Sequence, residues 1–298
     1  TWNVALADDV LTEIALMLRD VFEPRVVVAL ASVCHGLRRP MLGVVIQLQQ
    51  DCQATWALCS KVHRDRDQPV STSRALQRAQ ELRDSKRLNW TYCGLEIGHA
   101  RTLAMLFSTD VLAQLTALDV CANHLGDQGM KVLCEGLGSH ARPGLKHLHL
   151  SDNGIYMHSA FSRNRHLAAT SQYDWLDNVS SEGMSALAHA LGRGSLANLE
   201  SLGIGGNQVA EQSLLLLAPH LRKLPALEQL DLYKTAMTDA ALEALVAEPH
   251  AGAWVSLKFL RIEENRITET GDAKLTAALE AGAMPKLGTA FLIHSPLW

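Results

Sequence analysis

One spacing of leucines recurs along this chain and restricts what it can fold into. Leu257, Leu260, Ile262, Asn265, Ile267, Gly271, Leu275 and Leu279 set the frame LxxLxLxxNxIxxxGxxxLxxxL. Leu227, Leu230, Leu232, Thr235, Met237, Ala241 and Leu245 fit the same frame, as do Leu199, Leu202, Ile204, Asn207, Val209, Ser213, Leu217 and Leu221. Leu115, Leu118, Val120, Asn123, Leu125, Gly129, Leu133 and Leu137 make another copy. A looser one reads Leu88, Trp90, Cys93, Leu95, His99, Leu103 and Phe107, and a truncated one starts at Leu287. One copy is interrupted: it begins with Leu145, Leu148, Leu150, Asn153 and Ile155 and resumes at Val179, Gly183, Leu187 and Leu191. Copies start 28 or 30 residues apart, but Leu145 and Leu199 are 54 apart, which leaves 24 inserted residues. A fixed period in this range is the mark of a repeat architecture.

The frame has a physical cause. The LxL half alternates, as a short strand with one buried face must. The asparagine can bond backbone groups that a tight coil would bury; Thr235 and Cys93 fill its place with fewer bonds. After the glycine, apolar residues fall at helical spacing. Each unit is therefore strand, turn and helix, and only stacking gives it a continuous core.

These residues resemble the leucine-rich repeats of the ribonuclease-inhibitor type over about residues 85–298. The resemblance implies an α/β fold: a right-handed horseshoe with parallel strands inside and helices outside, used to bind protein. It does not imply ribonuclease as the ligand.

Residues 1–50 leave the repeat. The stretch LADDVLTEIALML…ALASVCHGLRRPML resembles an F-box, a small all-α motif of ubiquitin-ligase substrate receptors, although Ala7 and Leu37 replace its usual Pro and Trp. The resemblance implies that Leu6, Val10, Leu11, Ile14, Val33 and Leu37 anchor a ligase adaptor. The other reading is a helical cap over the apolar end of the solenoid. Pro40 should end a helix nearby. Residues 51–84 read as a helical linker, with a turn from Gln68 to Ser73 and Thr72 or Ser73 as a helix cap.

Residues between the framework leucines face out on the concave side. They include Asn89, Thr91 and Tyr92; Asp119 and Cys121; His149, Ser151 and Asp152; Asp231, Tyr233 and Lys234; Arg261, Glu263 and Glu264; and Phe291. Tyr92, His149, Asp231, Tyr233, Lys234, Arg261 and Glu263 are the candidate partner contacts, with Tyr233 and Arg261 of the types most common at hot spots. Gly203, Gly205 and Gly206 leave the middle of that face bare, either to receive a partner group or to relieve crowding. The insertion 156–178, which carries Trp175 among several aromatics, either packs back on the solenoid or holds a partner.

Little else points to chemistry. GxxxxGK[ST], HExxH and GxSxG are absent, and the GxGG at 203–206 belongs to the repeat. His147 and His149 share a strand face without a third metal ligand nearby in sequence. No enzyme, cofactor or metal is expected. Net charge is −4, which gives no pull toward nucleic acid, and the basic excess over Lys61–Arg87 reads as a solvated linker. Six scattered cysteines without a CxxC pair read as free thiols in a reducing, cytoplasmic or nuclear setting. No apolar run reaches the ~18 residues of a membrane span. No secretory leader is visible, but the chain begins at Thr1, which leaves targeting open. The sequence reads best as the substrate-recognition subunit of an SCF-type ubiquitin ligase. The alternative is a non-enzymatic scaffold or assembly subunit of a larger complex.

Overall fold

The computed structural model describes residues 38–62, 72–109, 111–139, 144–154, 182–207, 209–247 and 253–287. The chain divides into two compact units, residues 1–84 and 85–298.

In the first unit, helices α1 (Arg38–Val62) and α2 (Thr72–Asp84) pack on each other. Leu48, Cys52, Thr55 and Cys59 are buried on α1, at the helical spacing of a single stripe. Pro40 sits in the first turn of α1, where its missing N–H is one that a helix leaves unpaired anyway. Any helix ending before it lies outside the described residues. The helix runs on through Gln50, so the sequence limit at 50/51 falls inside an element. The six candidate adaptor contacts, Leu6, Val10, Leu11, Ile14, Val33 and Leu37, lie outside the described residues.

The second unit alternates strand and helix. Its elements are β1 (Arg87–Asn89), α3 (Ile97–Ser108), β2 (Ala117–Asp119), α4 (Gly126–Gly138), β3 (His147–His149), α5 (Glu182–Gly192), β4 (Ser201–Gly203), α6 (Glu211–Leu221), β5 (Gln229–Asp231), α7 (Asp239–Val246), β6 (Phe259–Arg261) and α8 (Glu269–Glu280). The strands form one sheet in the order β1-β2-β3-β4-β5-β6, parallel throughout. Equivalent residues are paired, so Leu88, Leu118, Leu148, Leu202, Leu230 and Leu260 form one buried row. Burying each such leucine is worth about 1.5–3 kcal/mol.

The register is held by side chains as well as by the sheet. Asn123 accepts from the Leu95 amide (2.9 Å) and donates to the Trp90 and Val120 carbonyls (both 2.8 Å). Asn207 and Asn265 repeat this, each reaching back one unit to the Leu150 or Leu232 carbonyl. Thr235, read as a weaker substitute, has its hydroxyl within donating distance of the Leu232 carbonyl (3.0 Å) and Asn265 Oδ1 (3.1 Å). The helices meet just as closely. A Cβ at Gly136 would lie 2.5 Å from the Ala104 backbone, so α4 can approach α3 only without a side chain there. Successive helices are also tied end to end. Asp127 accepts from the Gly183 amide, and Asp239 from the Thr268 amide, both at 2.8 Å.

Among the described residues no helix is long and apolar enough to cross a membrane. Cys52, Cys59, Cys93, Cys121 and Cys134 are free thiols.

The ladder makes a testable claim. Asn123→Ala should cost about 2–4 kcal/mol, because buried backbone groups lose their partners. Asn89→Ala, at an exposed site, should cost under about 0.5 kcal/mol. Urea unfolding midpoints of the two variants check this.

Candidate functional site

The sheet has one face toward the helices and one open face. The parallel register turns the open face into columns of equivalent residues. One column runs Ala117, His147, Ser201, Gln229, Phe259, and the next Asp119, His149, Gly203, Asp231, Arg261. A third follows just past the strands: Cys121, Ser151, Gly205, Tyr233, Glu263. A fourth has left-handed backbone in every unit: Tyr92, Ala122, Asp152, Gly206, Lys234 and Glu264, with φ between 50° and 67°. A side chain there costs roughly 1–2 kcal/mol. Glycine escapes that cost only at 206.

A depression of about 470 Å³ opens over Gly203, where its column lacks a side chain. His149, Ser151 and Asp152 form one wall, Asp231 and Gln229 the other, and Phe259 and Arg261 the far end. The two readings of the glycines therefore divide. Gly203 makes room on the open face. Gly205 and Gly206 relieve crowding: a Cβ at 205 would lie 2.9 Å from Asp231 Oδ1, and one at 206 would lie 1.9 Å from Asp152 Oδ1.

Candidate residues from the sequence separate accordingly. His149, Asp231 and Arg261 line the depression. Tyr233 lies under Arg261, whose guanidinium carbon is 4.3 Å from the ring centre, a cation–π contact that fixes both. Lys234 sits 4.0 Å from Glu264 on the left-handed column. Tyr92 is exposed at the β1 end of the sheet, away from the depression. Glu263 needs correction. Expected to be open to water, it is buried at 8% exposure and binds Arg261 Nε at 2.8 Å. It braces the arginine. Trp175 and the 156–178 insertion lie outside the described residues. Ser201, Gln229 and Phe259 were missed, yet strand alternation alone puts them on the same face as the column two residues on.

A second cluster bridges β2, β3 and β4. His149 Nε2 is 2.9 Å from Ser201 Oγ, and its Nδ1 is 3.8 Å from Asp119 Oδ2. The order is that of a nucleophilic triad, but the Asp–His distance exceeds a hydrogen bond. Ser201 is 5% exposed, sits within β4, an interior strand, and its hydroxyl donates to Gln229 Oε1 at 3.4 Å. Its geometry is that of a polar tie across three strands. Among the described residues, no group of three or more His, Cys, Asp or Glu side chains could hold a metal ion.

Two aspartates on this face titrate in opposite senses. Burial acts to raise Asp119, but the nearby His149 ring and the Cys121 amide, which donates at 3.0 Å, outweigh it and hold the carboxyl well below the usual range. Burial beside Asp119 pushes the Cys121 thiol up to about 12. Asp152 is raised, first by burial and then by the charge of Asp231; Lys234 and Arg261 offset this only in part. A raised folded-state pKa makes the ionised carboxylate a cost to the fold at neutral pH. That cost vanishes below the unfolded value of about 3.9. Asp152→Asn should therefore stabilise the protein at pH 7, by less than about 1 kcal/mol after solvent screening, and lose that advantage at pH 3. Asp119→Asn should do the reverse, because the stability a depressed carboxyl supplies is full above about pH 4 and fades as pH falls further. Thermal melts at the two pH values check both signs.

Set against known protein families, residues 113–134 match the family described as Leucine Rich repeat. No curated protein matches the chain. The matched segment runs from the approach to β2 into α4, and the other five strands pair in its register. Residues 113–134 thus carry a leucine-rich repeat, and the neighbouring units repeat its strand and helix in register, an arrangement that supports a protein-interaction role.

Proposed function

We propose that this chain is a non-enzymatic recognition subunit that binds a partner protein on the open face of its sheet, over β3 to β6. The depression over Gly203 carries this reading. It lies beside Tyr233 and Arg261, already stacked and braced. Aromatic and arginine anchors held in place before binding lose less entropy when a partner arrives. The unit length of 28–30 residues, with a helix in each unit, supports the ribonuclease-inhibitor type of repeat.

The finer reading concerns residues 1–50. Their pattern resembles an F-box, which supports a role as the substrate-recognition subunit of an SCF-type ubiquitin ligase. Leu6, Val10, Leu11, Ile14, Val33 and Leu37 would hold the adaptor while the sheet holds the target. The mechanism is recruitment by proximity, with no bond made or broken on this chain.

Two captures test these readings separately. Tyr233→Ala and Arg261→Ala should each weaken retention of the natural partner by about tenfold or more, the effect of removing a hot spot. Unchanged retention by both would remove the open face from consideration. Leu11→Asp and Ile14→Asp should abolish co-purification of the ligase adaptor and leave the partner bound. Intact adaptor binding in those variants would reject the F-box reading.

A further inference from the structure

We infer that the depression over Gly203 receives a lysine or arginine side chain from a basic segment of the partner, its cationic head lying between Asp152 and Asp231. This rests on the open-face reading above and adds the chemistry of the occupant.

Shape comes first. Gly203 puts no side chain between the His149 and Asp231 positions, so the strand backbone forms the floor. Leu202 and Phe259 contribute apolar surface to the lining. Such a surface suits the methylene stem of a long cationic side chain, which buries its carbons and keeps its charge at a polar end.

Charge then selects the occupant. From β2 to β6 the open face carries Asp119, Asp152, Asp231 and Glu264 against Lys234 and Arg261, a balance of −2 with the histidines neutral and Glu263 buried. Neither cation is available to fill the depression. Arg261 gives its Nε to Glu263 at 2.8 Å, leans over Tyr233, and comes only to 3.5 Å of Asp231. Lys234 faces Glu264. Asp152 has no cation paired with it among the described residues, and its ionised form is held at a cost beside Asp231. An incoming cation removes that cost, whereas an anion would add to it. Paired charges elsewhere on this sheet cancel: Lys146 with Glu200 at 2.6 Å, and Lys258 with Glu228 at 2.7 Å. Within the depression Asp231 already has Arg261 at 3.5 Å, and Asp152 is the carboxylate left without a cation among the described residues.

The test uses the full chain and a fluorescent nine-residue peptide of alternating glycine and arginine, followed by anisotropy at pH 7 and low salt. The peptide should bind, and a glycine–glutamate counterpart should not. Asp152→Asn and Asp231→Asn should each weaken binding about tenfold; asparagine retains the oxygen that accepts from the Tyr233 amide. Gly203→Leu should abolish binding without any change of charge. Its Cβ would meet Ser151 Oγ at 3.2 Å, a hydroxyl that can turn away, and the His149 ring at 3.5 Å, an ordinary contact; a thermal melt verifies that the variant is folded. Glu280→Gln, on α8, should bind as the parent does. If the arginine peptide is ignored, or Gly203→Leu still binds it, the inference is wrong. If the natural partner remains sensitive to Tyr233→Ala in that case, the open-face reading survives and only the cationic occupant is lost.

Discussion

The buried asparagine reaches back one unit and bonds backbone that no strand could satisfy. Strands of three residues supply few hydrogen bonds, and the chain beyond each strand turns inward with its polar groups still to be paired. Asn123, Asn207 and Asn265 supply those partners at fixed offsets of 28 to 57 residues. Each bond is worth about 1 kcal/mol net, but an unpaired buried group costs more than a made bond gives. A unit shifted by one residue would orphan a whole set at once. The register follows from that asymmetry more than from the attraction of any single bond.

A fixed register makes the open face a grid in which backbone positions repeat and only side chains differ. Function must then come from substitutions within columns. The left-handed column shows the constraint plainly: Tyr92, Ala122, Asp152, Lys234 and Glu264 all accept a backbone that L-residues avoid, because the neighbouring units over-determine the turn. Gly206 is unstrained there, and it is also the position over which the Asp152 side chain lies. The two columns before it differ from each other. Gly203 opens space that Asp231 and His149 border, while Gly205 yields space to Asp231. Three glycines in one unit thus do two different things.

Periodicity made much of this legible. The leucine frame identifies the strands, their parallel stacking and the residues that face outward, since strand alternation fixes those without reference to any partner. What it does not carry is the lateral neighbour. Glu263 reads as exposed because nothing in a single unit shows that Arg261 will fold over Tyr233 and take the carboxylate inward. The split among Gly203, Gly205 and Gly206 depends on side chains 26 to 54 residues away, which meet only once the sheet is assembled. Pro40 is ambiguous for a different reason. Proline is compatible with the first turn of a helix as well as with its end, and the chain on either side decides which.

The ladder has a defect, and its position bears on the site. Asn153 donates as its counterparts do, to Val120 and Leu150, but among the described residues its Oδ1 has no partner. The entry to α4 departs from its counterparts as well. Gly126 takes φ +61 where Glu96, Thr238 and Thr268 are extended, and its amide donates to the Asn153 carbonyl instead. The same unit holds Asp152, ionised at a cost, and it is the unit whose sequence departs from the frame after Ile155. An orphaned acceptor and an unfavourable carboxylate thus fall in one short turn. Costs of that kind persist where they are offset by something other than stability. A partner seated against Asp152 supplies that offset directly, which makes the β3 turn the place where folding and binding compete for the same residues.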